Sequence, residues 1–536
     1  MDYIHIIIEF PLSGIIPMDT NHRMQPASAS RRAFVLAAVC LAALCMPLSF
    51  TGPAIAIPAI AADLRGTPLA LAWITNAFML SFGGCLMVAG ALADRYGRKR
   101  VFLLGMAVFS AAALALAAAP AILWLDVLRA VQGLGCAMAL SSGLAALAQE
   151  FDGPARARAF SLIGTAFGVG LAFGPFLAGT LITHTGWRAI FIVTAVAGLA
   201  ALLAAARAMR ETRDPQAQGV DWPGALTFTG ALSLFTYGLL QAPHKGWASA
   251  ASLALLGGAA LLLAAFIRVE RRAARPMLDL TLFRLPAFAG VQLLAAAPAF
   301  SFVVLLVLLP ARFIGIEGYS PLEAGRMMIA LSAPMLVLPV LAGLAAQRLA
   351  AAHICASGLL LAAGGLLWLS TCAPGQSPTS LLGPLLLIGC GISLPWGLMD
   401  GLAISVVPVE RAGMAAGIFN TTRVAGEGLA LAIVSALLGT FTVAALGHVD
   451  LAGIGAEQAA HAGSFLALGE LRHAATLLPQ AGAAELAQAY GTAFCHLLYV
   501  LASITTTSAL LILVFLRHPA LAATDSTTLP ACDTPS

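Results

Sequence analysis

Five ionisable side chains stand inside stretches that are otherwise apolar: Asp126, Arg129, Asp400, Arg423 and Glu427. Charged groups inside membrane-length apolar runs are costly, about 2.5–3.5 kcal/mol on insertion scales, and mark function by default. Asp126 and Arg129 are one helical turn apart, as are Arg423 and Glu427, so each pair shares a helix face. Asp400, in the stretch WGLMDGLAI at 396–404, lies about eight residues, or roughly 12 Å, from the end of its run. Arg423 lies at roughly 15 Å in the next run, so the two side chains can meet at similar depth. Two carboxylates competing for one guanidinium would form a proton switch: protonating Asp400 or Glu427 frees Arg423 for the other. The plainer alternative is a static bridge from Arg423 to Asp400, with Glu427 as a standing partner of the same arginine. Asp126 has an interfacial alternative.

The elements that carry these groups follow from composition. Of 536 residues, 60% are hydrophobic and 10% charged, and mean hydropathy is +0.93. A soluble chain carries about 25% charged residues, so that class is excluded. A net charge of +4 gives no pull toward nucleic acid. Spanning the hydrocarbon takes about 20 apolar residues, and such runs in lipid are helices. Fourteen runs are found, from about 34–60 to about 491–516, including 223–242 and 249–267. With the N-terminus in the cytoplasm, twenty of the 28 Lys and Arg fall inside and six outside, Arg312 among the six. That asymmetry predicts an even number of spans and cytoplasmic termini. The nine cysteines form no C-x-x-C pair and the histidines no H-x-x-x-H, so no metal site or cofactor is expected. No nucleophile is paired with a clustered acid and histidine, so no enzyme is expected. Residues 1–33 are set aside as an N-terminal extension, with Met18 or Met24 as alternative starts, and 517–536 as a cytoplasmic tail. The long outer loop at 443–490 is expected to be a spacer rather than a lid.

Motifs sharpen this. GALADRYGRKR at 90–100 carries Gly90, Asp94, Arg95, Gly97, Arg98 and Lys99, with glycines for tight turns and an acid set to pair across helix ends. RAVQGLG at 129–135 holds Arg129, Gln132, Gly133 and Gly135; GVGLAFGPFLAG at 168–179 holds Gly170, Gly174, Pro175 and Gly179. Small residues let helices approach, and a Gly-Pro step permits a bend. Close packing alone explains the glycines but not the order of all three motifs. Together they resemble the signature loop, the fourth-helix motif and the fifth-helix antiporter motif of the major facilitator superfamily. DWPGALTFTGALSLFTYGLLQAPHKGW at 221–247, LDLTLFRLPAFAG at 278–290 and RAGMAAGIFNTTR at 411–423 resemble its fourteen-helix drug/proton antiporters. GLAAQR at 343–348 looks like a degraded second-half copy of the signature loop, with Gln347 where Asp94 stood, so a one-sided charged gate is expected.

The resemblance implies an all-α polytopic fold of two six-helix bundles, at 34–210 and 285–516, with two extra helices at 221–268. It implies a monomeric inner-membrane exporter of small hydrophobic or cationic compounds that works by alternating access in exchange for protons. The lipid bilayer, the substrate and protons would be its partners. Trp73, Asn76, Gln132, Trp396 and Asn420 are the substrate-cavity candidates. One departure stands out: LSFTGPAIAIP at 48–58 has Ser49 where the family carries a helix 1 aspartate. Serine cannot hold a proton near neutral pH, which leaves open a facilitator-type exporter of a metabolite or siderophore. It also turns attention to Asp400.

Overall fold

The computed structural model describes residues 29–516, except 152, 215–219, 274–277, 408–411 and 448–454. The N-terminal stretch 1–28, the tail and Arg411 lie outside the described residues. The regular secondary structure of the described residues is all helix, with no strand among them.

Six long helices come first: α1 (Ala29–Leu64), α2 (Pro68–Tyr96), α3 (Arg98–Ala117), α4 (Ile122–Glu150), α5 (Gly153–Thr185) and α6 (Arg188–Ala208). Their main contacts are α2 and α3 on α4, α1 on α5 and α6, and α3 on α6. α1 begins ahead of the expected boundary at 34. Its first turn is anchored, because Arg31 donates to the Ala208 carbonyl at 3.1 Å and pairs with Glu150 at the end of α4. Both partners sit at helix C-termini, where a cation is favoured.

α7 (Trp222–Lys245) and α8 (Ala250–Arg272) pack on each other. They separate the two halves in sequence, but in space they flank them, with α7 lying on α2 and α16. Among the described residues, thirteen helical stretches are long and apolar enough to cross a membrane. α7 is the fourteenth by length at 24 residues, and its threonines, Ser233 and Gln241 dilute its apolarity. α8 leaves Leu253, Leu261 and Leu263 exposed, as a lipid-facing helix would.

The second half is less regular. Its first span runs α9 (Pro286–Pro298), a π turn (Ala299–Val303), α10 (Leu305–Ala311) and a second π turn (Arg312–Ile316). The next is split by a 3₁₀ turn (Ala333–Leu336) into α11 (Pro321–Ser332) and α12 (Leu338–Ala345). α13 (Ala351–Ser370) is unbroken, whereas α14 (Pro378–Trp396) and α15 (Met399–Ser405) are parted at Gly397 and Leu398. Pro298, Pro310, Pro334, Pro339 and Pro395 stand at or beside these breaks, where a missing N–H removes the regular bond. α16 (Ala412–Leu446) and α19 (Ala483–Phe515) complete the bundle.

Between them, α17 (Ala456–Ala467) and α18 (Leu471–Leu477) occupy the long loop. The loop is docked rather than free: Ala462, Leu466, Ala474 and Leu478 are fully buried against α16, α19 and the end of the first broken span. Gly469 has a φ of 83° and its carbonyl sits where any side chain at Gly315 would go. Only glycine suits both places.

Candidate functional site

The centre of the molecule holds a cavity built from both halves. α1 supplies Met46, Pro47 and Phe50, α2 supplies Phe78, Met79 and Phe82, and α5 supplies Phe167 and Leu171. These sets repeat at three and four residues, one helix face each. From the other half come Val303 on the first π turn, Trp396 at the α14 break, and Glu427. Trp396 lies 6.4 Å from Phe302 in its own half and 6.3 Å from the Phe167 ring, so an aromatic contact crosses from one half to the other. The cavity encloses about 330 Å³ of atom-free space, part of it open to solvent.

Glu427 is its one carboxylate. It is 7% exposed and has neither an ion pair nor a hydrogen bond among the described residues. The expected pairing with Arg423 is not a direct ion pair, although the arginine's charge still acts on the carboxylate from one turn away. The direct contacts of Arg423 go elsewhere: Nη2 donates to Asn420 Oδ1 at 2.9 Å, and Nη1 lies 3.4 Å from Asp400 Oδ1. Its guanidinium also lies over the Phe167 and Phe419 rings at 5.9 and 5.7 Å. Asp400 is not buried. The break at 397–398 puts it in the first turn of a seven-residue helix, with 61% of its side chain exposed.

On the other half, Arg129 is fully buried. Nε donates to the Ile74 carbonyl at 2.8 Å, Nη1 to Gln132 Oε1 at 2.6 Å, and the guanidinium lies 4.2 Å over the Phe78 ring. Phe78 lines the cavity, so Arg129 touches the cavity wall from behind. Its Nη2 has no partner among the described residues, nor does Asp126 Oδ1, one turn away. Ser49 is buried with an unpartnered hydroxyl.

The remaining expected residues divide. Trp73 does not face the central cavity; it packs on Tyr237 of α7 at 5.8 Å. Gln132 is spent on Arg129, and Asn420 bridges Arg423 to the Ala416 carbonyl. Asn76 lines a second cavity nearer the long loop. In the signature loop, Arg98 pairs with Asp94 at 2.9 Å and donates its backbone N–H to the Thr212 carbonyl. Glu211 accepts from the backbone N–H groups of Lys99 and Arg100 at 3.2 Å, capping the N-terminus of α3. Arg95 lies beside Tyr96. On the second-half echo, Arg348 is exposed and has no ion pair among the described residues.

The fifth-helix glycines face two ways. Gly170 and Gly174 lie on α1, against Pro47 and Thr51. Gly179 and Pro175 lie on α11 of the other half, against Pro321 and Gly325. Contact with the other half loosens along α5. A side chain at Gly179 would collide with the Pro321 carbonyl, one at Gly168 would come to 3.8 Å of the Met335 carbonyl, and at Gly164 nothing lies within 4 Å. Along α5, then, the halves touch on the side of the long loop and part toward the signature loop.

Sequence reasoning missed one charged pair. Arg312 and Glu317 meet at 2.7 Å with both side chains 2% exposed, although Arg312 was counted among outer-loop charges. Nη2 of Arg312 also donates to the Cys372 carbonyl at 2.8 Å, and its guanidinium lies 5.1 Å over Phe494.

The sequence profile of the Major Facilitator Superfamily matches residues 39–431. Multidrug resistance protein Stp of Mycobacterium tuberculosis is 32% identical over 394 residues, 73% of each chain. The cephamycin export protein CmcT of Amycolatopsis lactamdurans is 34% identical over 429 residues, 78% of this chain and 87% of the relative. Among solved structures, a bacterial homologue of the human lysosomal transporter Spinster, inward-facing and unoccupied, superposes with a TM-score of 0.64 at 17% identity, covering 92% of this chain and 98% of that one.

Proposed function

The chain belongs to the major facilitator superfamily, and from that premise we propose that it is a secondary active exporter of small hydrophobic or cationic compounds, driven by protons. The carrying observation is Glu427: a buried carboxylate with no direct ion pair or hydrogen bond, in a cavity walled by methionine and aromatic side chains. Burying an unpaired charge is costly, and binding a proton or a cation removes the cost. Aromatic faces favour the cation as well. One carboxylate that takes either, but not both, couples the two. The relatives' names, a multidrug resistance protein and a cephamycin exporter, support the substrate class.

In this reading residues 34–210 and 285–516 rock about the cavity, and 221–268 form an accessory pair. The chain acts as a monomer in the cytoplasmic membrane, with both termini and the signature loop inside. The conformation is then inward-facing. Arg129 positions Phe78 and Gln132 behind the site rather than binding substrate. The Asp94–Arg98 pair and Glu211 hold the gating loop.

Ser49 favours a second reading, a facilitator-type exporter without proton coupling. Efflux of ethidium from proteoliposomes separates the two. Proton-driven export predicts efflux against the ethidium gradient that needs an inward proton gradient, collapses with an uncoupler, and is lost in Glu427→Gln. Efflux that ignores the uncoupler selects the facilitator.

A further inference from the structure

The larger of the two cavities lies one to two helical turns from Glu427 toward the long loop. Along α16 the wall passes from Glu427 to Leu431, Ser435 and Gly439, and along α2 from Met79 to Asn76, Thr75 and Ala72. α7 closes one side with Leu240 and Pro243, and α17 covers it with Ser464 and Ala467. About 720 Å³ free of atoms lies between these walls, part of it open solvent. No titratable side chain lines it. Two of its lining groups are 2% exposed and lack a partner: the Thr75 hydroxyl and Asn76 Oδ1. Asn76 Nδ2 is committed to the Ala72 carbonyl at 2.9 Å, which leaves Oδ1 as a free acceptor. Buried polar groups are normally bonded, so both call for a donor from elsewhere.

We infer that this cavity is a second small-molecule site, distinct from the Glu427 cavity, that takes uncharged, largely apolar molecules bearing one hydrogen-bond donor. The apolar body fills the space between α2, α7, α10 and α16, and the donor reaches Asn76 Oδ1. The absence of charge among the lining groups rejects cations, which are left to Glu427. α7 of the accessory pair and the loop helix thereby gain a role, because each supplies one wall. Its place on the export path rests on the efflux reading; its binding does not.

The test uses the full chain purified into nanodiscs and N-phenyl-1-naphthylamine, an uncharged apolar fluorophore with one N–H. Saturable binding above that of empty nanodiscs is expected. Ser435→Phe and Ser464→Phe fill the space from opposite walls, and each is expected to weaken binding about tenfold. Asn76→Leu removes the acceptor and is expected to weaken it severalfold. Glu427→Gln is expected to leave it unchanged while tetraphenylphosphonium binding falls. Thermal midpoints select the variants that remain folded. No saturable signal in the wild type overturns the proposal. So does wild-type affinity in both folded phenylalanine variants, or loss of the signal in Leu171→Trp, which fills the central cavity instead. If ethidium efflux fails while these binding results hold, the export reading falls and the site stands.

Discussion

Arg423 reaches 3.4 Å to Asp400, on the next span, and makes no ion pair with Glu427, one turn along its own helix. That choice separates the two acids. Asp400 is mostly exposed and already paired, whereas Glu427 is buried without a direct ion pair. Glu427→Gln is therefore expected to cut uncoupler-sensitive efflux by at least about tenfold, since unpartnered intramembrane acids are functional by default. Asp400→Asn is expected to leave at least about a third, because exposed pairs contribute at most about 1 kcal/mol. Equal loss in both, measured at equal expression, would refute the assignment.

The two glycines of the signature loop separate cleanly. Gly97 has a φ of 110°, and a Cβ there would strike the Glu211 carboxylate. Gly90 is helical, and the nearest atom to its Cβ would be 3.9 Å away, on Ser141. Gly97→Ala should destabilise by more than about 1 kcal/mol, since its backbone does not suit a side chain. Gly90→Ala should be neutral or stabilise by up to about 1 kcal/mol, through helix propensity. Thermal midpoints of the purified variants decide it, and matching shifts would show that neither the φ nor the Glu211 contact matters.

Much of this was legible in the sequence. Apolar runs of membrane length become helices because the backbone has no other way to bond in lipid, and the three motifs fell in order on α2–α3, α4 and α5. The site was less legible. Periodicity says that Arg423 and Glu427 share a helix face, not which neighbour a long guanidinium prefers. Asp400 looked enclosed because an unbroken helix was assumed through 396–399, where the chain parts. Trp73 faces α7, whose docking on α2 leaves no local signal. Arg312 sits where a span ends, and only the π turn and Glu317 five residues on carry it inward.

The contact between α5 and α11 makes a prediction about conformation. A Cβ at Gly325 would come to 2.7 Å of the Pro175 carbonyl and 2.9 Å of Phe176 Cα. Overpacking costs about 1–3 kcal/mol, and here it penalises only the state closed on the loop side. Gly325→Val should shift the population about tenfold toward the state open there, since 1.4 kcal/mol is tenfold. Spin labels at Thr185 and Arg326 would report a growing long-distance component. An unchanged distance distribution in the folded variant would show that the contact does not hold that side shut.

The pair formed by Arg312 and Glu317 predicts stability rather than transport. Both side chains are sealed under the long loop, and the arginine ties the π turn to Cys372 on the adjoining span and to Phe494 on α19. Removing one partner strands a buried charge, so Arg312→Met alone should cost about 3–5 kcal/mol. Removing both charges strands none, and an apolar pair of similar volume is often neutral. The double variant Arg312→Met with Glu317→Leu should therefore recover to within about 1 kcal/mol of the wild type. Reversible unfolding in mixed micelles, followed by circular dichroism, measures the cycle. Additive losses in the double variant would mean that each charge has its own partner and that the two do not act as a pair.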